Sequence, residues 1–323
     1  MNTKKYLAMF GSLAENDEIP RWLYDKMLAE IAANGKMTKS IYNDYLTELE
    51  KLRLFDVDGA PFDTDKSAKT DGTYVYKHTK NPFWHLGHFF WSTVFKLIGF
   101  VGGAIVFGVW RVNGRKKLKK IGACITTSNH VGYLDAVLTL RATGMQNRYI
   151  VAAPHNCKST LGGKILCSAG ELPLPISYKG MRPFTEMLEY VSERKKAKIH
   201  FYAEKSMWID YRKPRPHKDG AYFYADKLDI PVVPMLYCFK EPRGLRKLFH
   251  LKKAVIKIGD PIYVNKDLPP RERKADLAQR TYAATAELYE QFYGIPLEYL
   301  EPYKEDYNPA IDDVQDTAQS TSD

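Results

Sequence analysis

Gly122-Ala123-Cys124-Ile125-Thr126-Thr127-Ser128-Asn129-His130-Val131-Gly132-Tyr133-Leu134-Asp135 is the stretch on which the fold turns. Residues 122–127 make a short apolar, strand-like run, polar and glycine positions follow, and a helical pattern opens at about 134. The alternation then repeats. Strand-like runs recur at 148–153, 171–175, 198–203, 231–237 and 254–258. Helical patterns at about 134–142, 159–168, 182–195 and 219–228 lie between them, and a last helix covers about 271–293. Strands separated by helices of that length need crossover connections, which predicts an α/β fold with a mostly parallel sheet flanked by helices.

Upstream, residues 20–34 and 38–54 read as two short amphipathic helices. Asn16 or Asp17 is placed to cap the first, with Pro20 near its opening turn; Thr38 is placed to cap the second, and Asn34-Gly35 separates them. Residues 56–73, rich in Asp, Gly, Lys and Thr, read as a linker. The expected organisation is an N-terminal helical region with linker (1–75), an apolar segment with a basic flank (76–120), an α/β domain (121–300) and a disordered acidic tail (301–323).

The apolar segment is the longest in the chain. Phe89 to Trp110 is 22 residues with one charge, Lys96. As a helix it would extend about 33 Å, close to a hydrocarbon core of roughly 30 Å. Four glycines (Gly99, Gly102, Gly103, Gly108) would each cost ~1 kcal/mol in a water-exposed helix, Lys96 can snorkel, and Trp84, Trp91 and Trp110 stand near the ends, as interfacial aromatics do. These features predict a membrane-associated apolar helix or helical hairpin. Spanning, re-entry at Gly102-Gly103 and lying in one leaflet all stay open. Arg111, Arg115, Lys116, Lys117, Lys119 and Lys120 follow within ten residues, against Lys77 and Lys80 before it, so the positive-inside bias puts residue 111 onward on the cytoplasmic face.

Charge points the same way. The chain has 323 residues and a net charge of +10, and its final 23 residues hold seven acids and one base. Without that −6 tail, residues 1–300 carry +16, with 47 bases against 31 acids. Such a body expects a polyanionic partner: nucleic acid, an anionic membrane or a phosphorylated substrate. No aromatic-interleaved recognition motif or basic helix speaks for nucleic acid. Apolar residues at 45% exclude a wholly disordered chain. Cys124, Cys157, Cys167 and Cys238 show neither C-x-x-C pairing nor zinc-type spacing, and the first residues run into the polar Glu15–Glu18 stretch. Reduced thiols, no signal peptide and no metal site are the expectation.

The chemistry centres on His130 and Asp135. The histidine falls on the loop after the first strand and the aspartate in the first helical turn, where the helix dipole favours a carboxylate. A bend there folds Asp135 onto one imidazole nitrogen and leaves the other to accept a proton. That is the base-and-orienter part of a triad without a protein nucleophile, so a substrate hydroxyl would attack. Spacing alone is equally compatible with a helix-capping Asp beside a surface His.

The segment 121–264 resembles the glycerolipid acyltransferases, the lysophosphatidic acid (1-acyl-glycerol-3-phosphate) acyltransferase family. Asn129-His130-Val131-Gly132-Tyr133-Leu134-Asp135 matches its histidine-to-aspartate motif. Gly163 and Gly170-Glu171-Leu172-Pro173-Leu174 fall where it has a glycine and an acceptor-binding strand. Phe201-Tyr202-Ala203-Glu204 and Lys218-Asp219-Gly220-Ala221 resemble its F-P-E and K-x-G-A. Ile230-Pro231-Val232-Val233-Pro234-Met235 and Ile258-Gly259-Asp260-Pro261-Ile262 resemble two later motifs. Two family arginines associated with the acceptor phosphate are absent: Pro175-Ile176 stand where one motif ends in arginine, and Met207 holds the other place.

The resemblance implies transfer of a fatty acyl group from acyl-CoA or acyl carrier protein to a lysophospholipid hydroxyl at an anionic membrane, without a cofactor. His130 and Asp135 would be catalytic. Glu204 would bond the acceptor or brace the site. Lys179, Arg182, Lys205, Arg212, Lys213 and Arg215 are the cations placed to hold a phosphate. The missing arginines leave room for another amphiphilic acceptor, a glycolipid or lipid-linked precursor. A non-catalytic protein docking on anionic lipid through 89–120 is the reading from a different class.

Overall fold

The computed structural model describes residues 1–62, 69–74, 76, 82–158, 160–304 and 307. Most of the acidic tail, residues 63–68 of the linker, Lys77, Lys80 and the side chain of Trp84 lie outside the described residues. The chain forms two compact units.

The first unit gathers Met1–Phe62, Ser206–Trp208 and the described residues from Glu298 onward. It contains α1 (Thr3–Glu15), α2 (Arg21–Asn34) and α3 (Lys39–Lys51). The expected helices are α2 and α3; α1 has no counterpart in the sequence reading. Thr38 caps α3 as expected, accepting from the Ile41 N–H at 3.2 Å, and Gly35 closes α2 at φ +69°. Asp17 caps nothing: it is left-handed, and α2 opens directly after Pro20. Phe10, Leu13, Leu23, Met27, Tyr45 and Leu49 form a buried seam at helical spacing. Trp208 is fully buried and donates Nε1–H to the Val57 carbonyl at 2.9 Å. Gly59 makes room for it, since a Cβ there would come 2.8 Å from the indole.

The second unit, which holds the described residues of 63–205 and Ile209–Leu297, opens with α4 (Pro82–Ile105) and α5 (Arg115–Lys120). Then come β1 (Cys124–Ser128), α6 (Asp135–Thr143), β2 (Arg148–Ala152), α7 (Leu161–Ser168), β3 (Glu171–Pro173) and α8 (Tyr178–Ser192). After them follow β4 (Lys198–Tyr202), α9 (Gly220–Leu228), β5 (Val232–Lys240), α10 (Leu245–Leu248), β6 (Lys253–Ile258) and α11 (Pro270–Tyr293). The six strands form one sheet in the order β3-β2-β4-β1-β5-β6, parallel except for β6, which runs antiparallel to β5. All six expected strands are present, and the fold is the α/β architecture read from the sequence.

Alternation along the strands sorts the core into two layers. Ile125, Tyr149, Val151 and Val232 pack with Phe184 and Leu188 of α8 and Tyr222 of α9. Cys124, Val233, Met235 and Tyr237 pack on the other face with Leu138 of α6 and Leu118 of α5. All four cysteines are free thiols, three of them buried.

α4 is one unbroken helix through Gly102-Gly103, so the chain forms no helical hairpin at that pair. The chain turns only afterwards, with the Val109 N–H on the Gly103 carbonyl at 2.8 Å and Gly108 at φ +63°. Glycine lets the helix approach α6: a Cβ on Gly99 would lie 2.1 Å from Leu140 Cβ, and one on Gly103 2.8 Å from Arg141 Cγ. The opposite face presents Leu86, Phe90, Leu97, Val101 and Ile105, all exposed. By length and composition His85–Ile105 suffices to cross a membrane, and only 22% of it is buried within the protein.

Part of the basic flank is structural. Arg115 closes the end of α6 by donating to the carbonyls of Arg141 and Ala142, and Lys117 pairs with Asp260 at 3.0 Å. Arg111, Lys116, Lys119 and Lys120 remain exposed.

Candidate active site

The site forms at the carboxyl edge of the sheet, where parallel strands release their loops side by side. β1 and β4 pair in register with Ser128 opposite Tyr202. His130 and Glu204 each stand two residues beyond that pair, and the His130 backbone N–H donates to Glu204 Oε2 at 3.2 Å.

His130 Nδ1 is 2.9 Å from Asp135 Oδ2. The same oxygen accepts the backbone N–H groups of Val131 at 2.6 Å and Gly132 at 3.0 Å. Asp135 is 2% exposed, so its position is set by the turn it closes as well as by the imidazole. The imidazole stacks on Tyr202, centroids 4.1 Å apart at 19°. Tyr202 shares the hydroxyl of Thr139 on α6 at 3.3 Å, and Thr139 is 2.7 Å from the Tyr237 hydroxyl. Beneath Tyr202 lies His200, fully buried between Thr126 Oγ1 at 3.0 Å and Ser128 Oγ at 3.3 Å. Burial pushes its pKa down to about 3, and the nearby His130 adds to the effect, so His200 is a neutral support. Tyr202 and His200 escaped the sequence reading. The signal for Tyr202 is its register with Ser128, which no single strand reveals.

Glu204 braces the site. It is 1% exposed and fully subscribed: Oε2 takes the His130 N–H and Arg215 Nε and Nη2 at 3.1 and 2.8 Å, and Oε1 takes the Arg215 N–H at 2.9 Å. The expectation that Arg215 meets a substrate phosphate is therefore corrected: its guanidinium is buried and spent on Glu204. Arg212 pairs with Glu241 at 2.6 Å, and Arg182 with Glu186 at 2.9 Å on the surface of α8. Lys179 is exposed, Lys213 is half-buried, and Lys205 is exposed at φ +68° in the turn after β4. None of these cations lines the cavity beside His130.

That cavity, about 510 Å³, lies between α4, α6, α7 and the face of β2. Phe95, Ile98, Leu140, Ile150 and Leu166 give it apolar walls, and His130 and Asp135 border it. Lys158 and Arg148, absent from the sequence reading, also line it, as does Glu171 of the strand read there as acceptor-binding. So does His155, which the sequence left without a role. His130 Nε2 makes no hydrogen bond among the described residues, while Nδ1 meets Asp135. Among the described residues no group of three or more His, Cys, Asp or Glu is arranged to hold a metal ion.

No curated protein matches the chain. Among solved structures the chain is similar to the 1-acyl-sn-glycerophosphate (LPA) acyltransferase PlsC of Thermotoga maritima, at 16% identity and a TM-score of 0.48, over 68% of this chain and 86% of that one. Residues 109–238, which run from the end of the apolar segment through β5 and include His130, Asp135 and Glu204, match the family model for acyltransferases. Over residues 109–238 the chain is similar to the acyltransferase family.

Proposed function

We propose that the protein is a membrane-associated O-acyltransferase that moves a fatty acyl group from a thioester donor, acyl-CoA or acyl carrier protein, to the free hydroxyl of a lysophospholipid. The reading for 1-acyl-sn-glycerol-3-phosphate, giving phosphatidic acid, rests on the motif order. The observation that carries the chemistry is the His130–Asp135 contact at the mouth of an apolar cavity.

His130 Nε2 takes the proton of the acceptor hydroxyl as its oxygen attacks the thioester carbonyl. Asp135, held by two backbone N–H groups, keeps the Nδ1–H tautomer and stabilises the imidazolium that forms. Collapse of the tetrahedral intermediate expels the thiolate, which recovers the proton from His130. The apolar cavity excludes water, which would otherwise hydrolyse the donor.

The exposed apolar face of α4 supports docking in one leaflet, because the helix's glycine face is already committed to α6. The exposed cations Arg111, Lys116, Lys119 and Lys120 would add roughly 1 kcal/mol each beside an anionic leaflet, with the domain on the cytoplasmic face. A second acceptor class, a glycolipid or lipid-linked precursor, is favoured by Ile176 and Met207 at the places of the family arginines and by the engagement of Arg215.

The test offers labelled acyl donors to the purified protein with a panel of lysolipids in vesicles. Transfer to lysophosphatidic acid supports the first acceptor, and transfer only to an unphosphorylated amphiphile the second. No transfer to any acceptor, with vesicle binding intact, would leave a lipid-docking protein.

A further inference from the structure

Strand β2 sets the direction of the cavity. Its alternate residues Arg148, Ile150 and Ala152 all line it, because they share one face of the sheet. The cavity thus follows the strand over four residues, about 13 Å. His130 stands at the carboxyl edge. Arg148 is in register with Lys198, itself in register with Cys124 at the start of β1, so it marks the amino edge. Phe95, Ile98, Leu140, Ile150 and Leu166 make up much of the cavity's apolar wall, and the polar Lys158 and His155 line it as well.

The lining changes at the amino end. Arg148 is 4% exposed, and its Nε and Nη1 have no hydrogen-bond partner. Glu171 on β3 lines the same cavity, paired in register with Ile150. Its Oε2 lies 4.0 Å from the Cys157 thiol. Burial pushes its carboxyl up to about 7, against the pull of Arg148. The two residues feel each other's charge, yet form no ion pair among the described residues. A buried guanidinium with unsatisfied N–H groups is costly, and a plain methylene chain lying against it would satisfy none of them. A hydroxyl fits the arrangement: its oxygen accepts from the guanidinium while its hydrogen donates to the carboxyl.

We infer that the cavity selects a fatty chain that carries a hydroxyl group toward its tail end, held by Arg148 and Glu171. This rests on the cavity being the chain site of the proposed acyl transfer. Recognition of an oxygenated chain is a specificity beyond that reaction.

Calorimetric binding to the purified full chain separates the two ideas. The probes are hexadecanoic acid and its 3-, 12- and 16-hydroxy derivatives. A hydroxyl at position 12 or 16 is expected to tighten binding about tenfold or more over the plain chain, and one at position 3 is not. Arg148→Met should bring the ratio of hydroxylated to plain affinity close to one, and Glu171→Gln should reduce it. Equal affinities for all four acids in the wild type would overturn the inference, as would a preference that survives in Arg148→Met; a bound water would then satisfy the pair. The position series is read on the wild type, so it does not depend on either variant folding. Acyl transfer is measured in parallel with the matching thioesters. Binding preference without transfer would sink the enzymatic reading and keep the chain selectivity; transfer without preference would do the reverse.

Discussion

The His130 backbone N–H and the Glu204 carboxylate meet at 3.2 Å because each residue stands two positions past the Ser128–Tyr202 register pair. The loop that carries the proposed base is thus tied to the neighbouring strand, and Arg215 closes the tie from the other side. Breaking one member of such a buried pair leaves an uncompensated charge. Arg215→Met is therefore expected to cost roughly 3–5 kcal/mol, read by urea unfolding, and to lower transfer by loosening the His130 loop. The double variant Arg215→Met/Glu204→Gln should cost less than the sum of its parts. Strict additivity would show that the two side chains do not act together.

Replacing His130 by Ala should reduce transfer by roughly 10²–10⁴-fold or more while the thermal midpoint and vesicle binding stay near wild type. Asp135→Asn should lose a comparable factor and some stability as well, since Asp135 also closes the turn through Val131 and Gly132. Turnover retained in His130→Ala would rule out the proposed base.

The glycines of α4 can be sorted by substitution. Gly99→Ala should destabilise the protein, because its Cβ would stand 2.1 Å from Leu140, despite a helix-propensity gain of about 1 kcal/mol. Gly87→Ala meets nothing within 4 Å and should be neutral or slightly stabilising. Thermal melts of the two variants side by side give the answer; equal behaviour would mean that α4 does not pack on α6.

Leu97 and Val101 lie one turn apart on the exposed face of α4. The double variant Leu97→Asp/Val101→Asp should lose flotation with anionic vesicles while keeping its circular dichroism. Unchanged flotation would place the membrane contact elsewhere.

His200 is fully buried and His217 half-buried, and desolvation pushes the pKa of each down to about 3. Unfolded, each takes up a proton near 6.5. Their neutral burial is compatible with full stability above that value, and stability falls as pH drops from about 6.5 toward 3, on the order of a few kcal/mol for each. Urea titrations between pH 7 and 4 should show that decline, and His200→Gln should flatten it. An acid limb of the same slope in that variant would assign the loss to other groups.

Local pattern carried much of this far. The strand–helix alternation from 122 to 258 prescribes a mostly parallel sheet, since backbone groups must pair and crossover helices must cover the faces. The spacing of His130 and Asp135 places a carboxylate in the first turn of a helix, within reach of the preceding loop. The apolar run is legible because length and hydropathy are properties of the chain itself. Helix α1 was missed: its cap, Asn2, stands at the start of the chain, and its buried side chains show their purpose only against α2 and α3.

What the chain could not specify alone is everything that depends on which segments become neighbours. The roles of the cations turned on it, because a charge reads the same in sequence whether it faces water or a buried carboxylate; Arg215 proved to be the second. The glycines of α4, which read as tokens of a membrane helix, became contacts with α6. Arg148 and Glu171 stand 23 positions apart, and nothing in the sequence links them until the packing of β3 on β2 brings both to one cavity. The sequence determined the elements and the proposed base, because those follow from near-neighbour chemistry. Only the tertiary structure decided which buried polar groups find partners and which do not, because burial belongs to the packed chain.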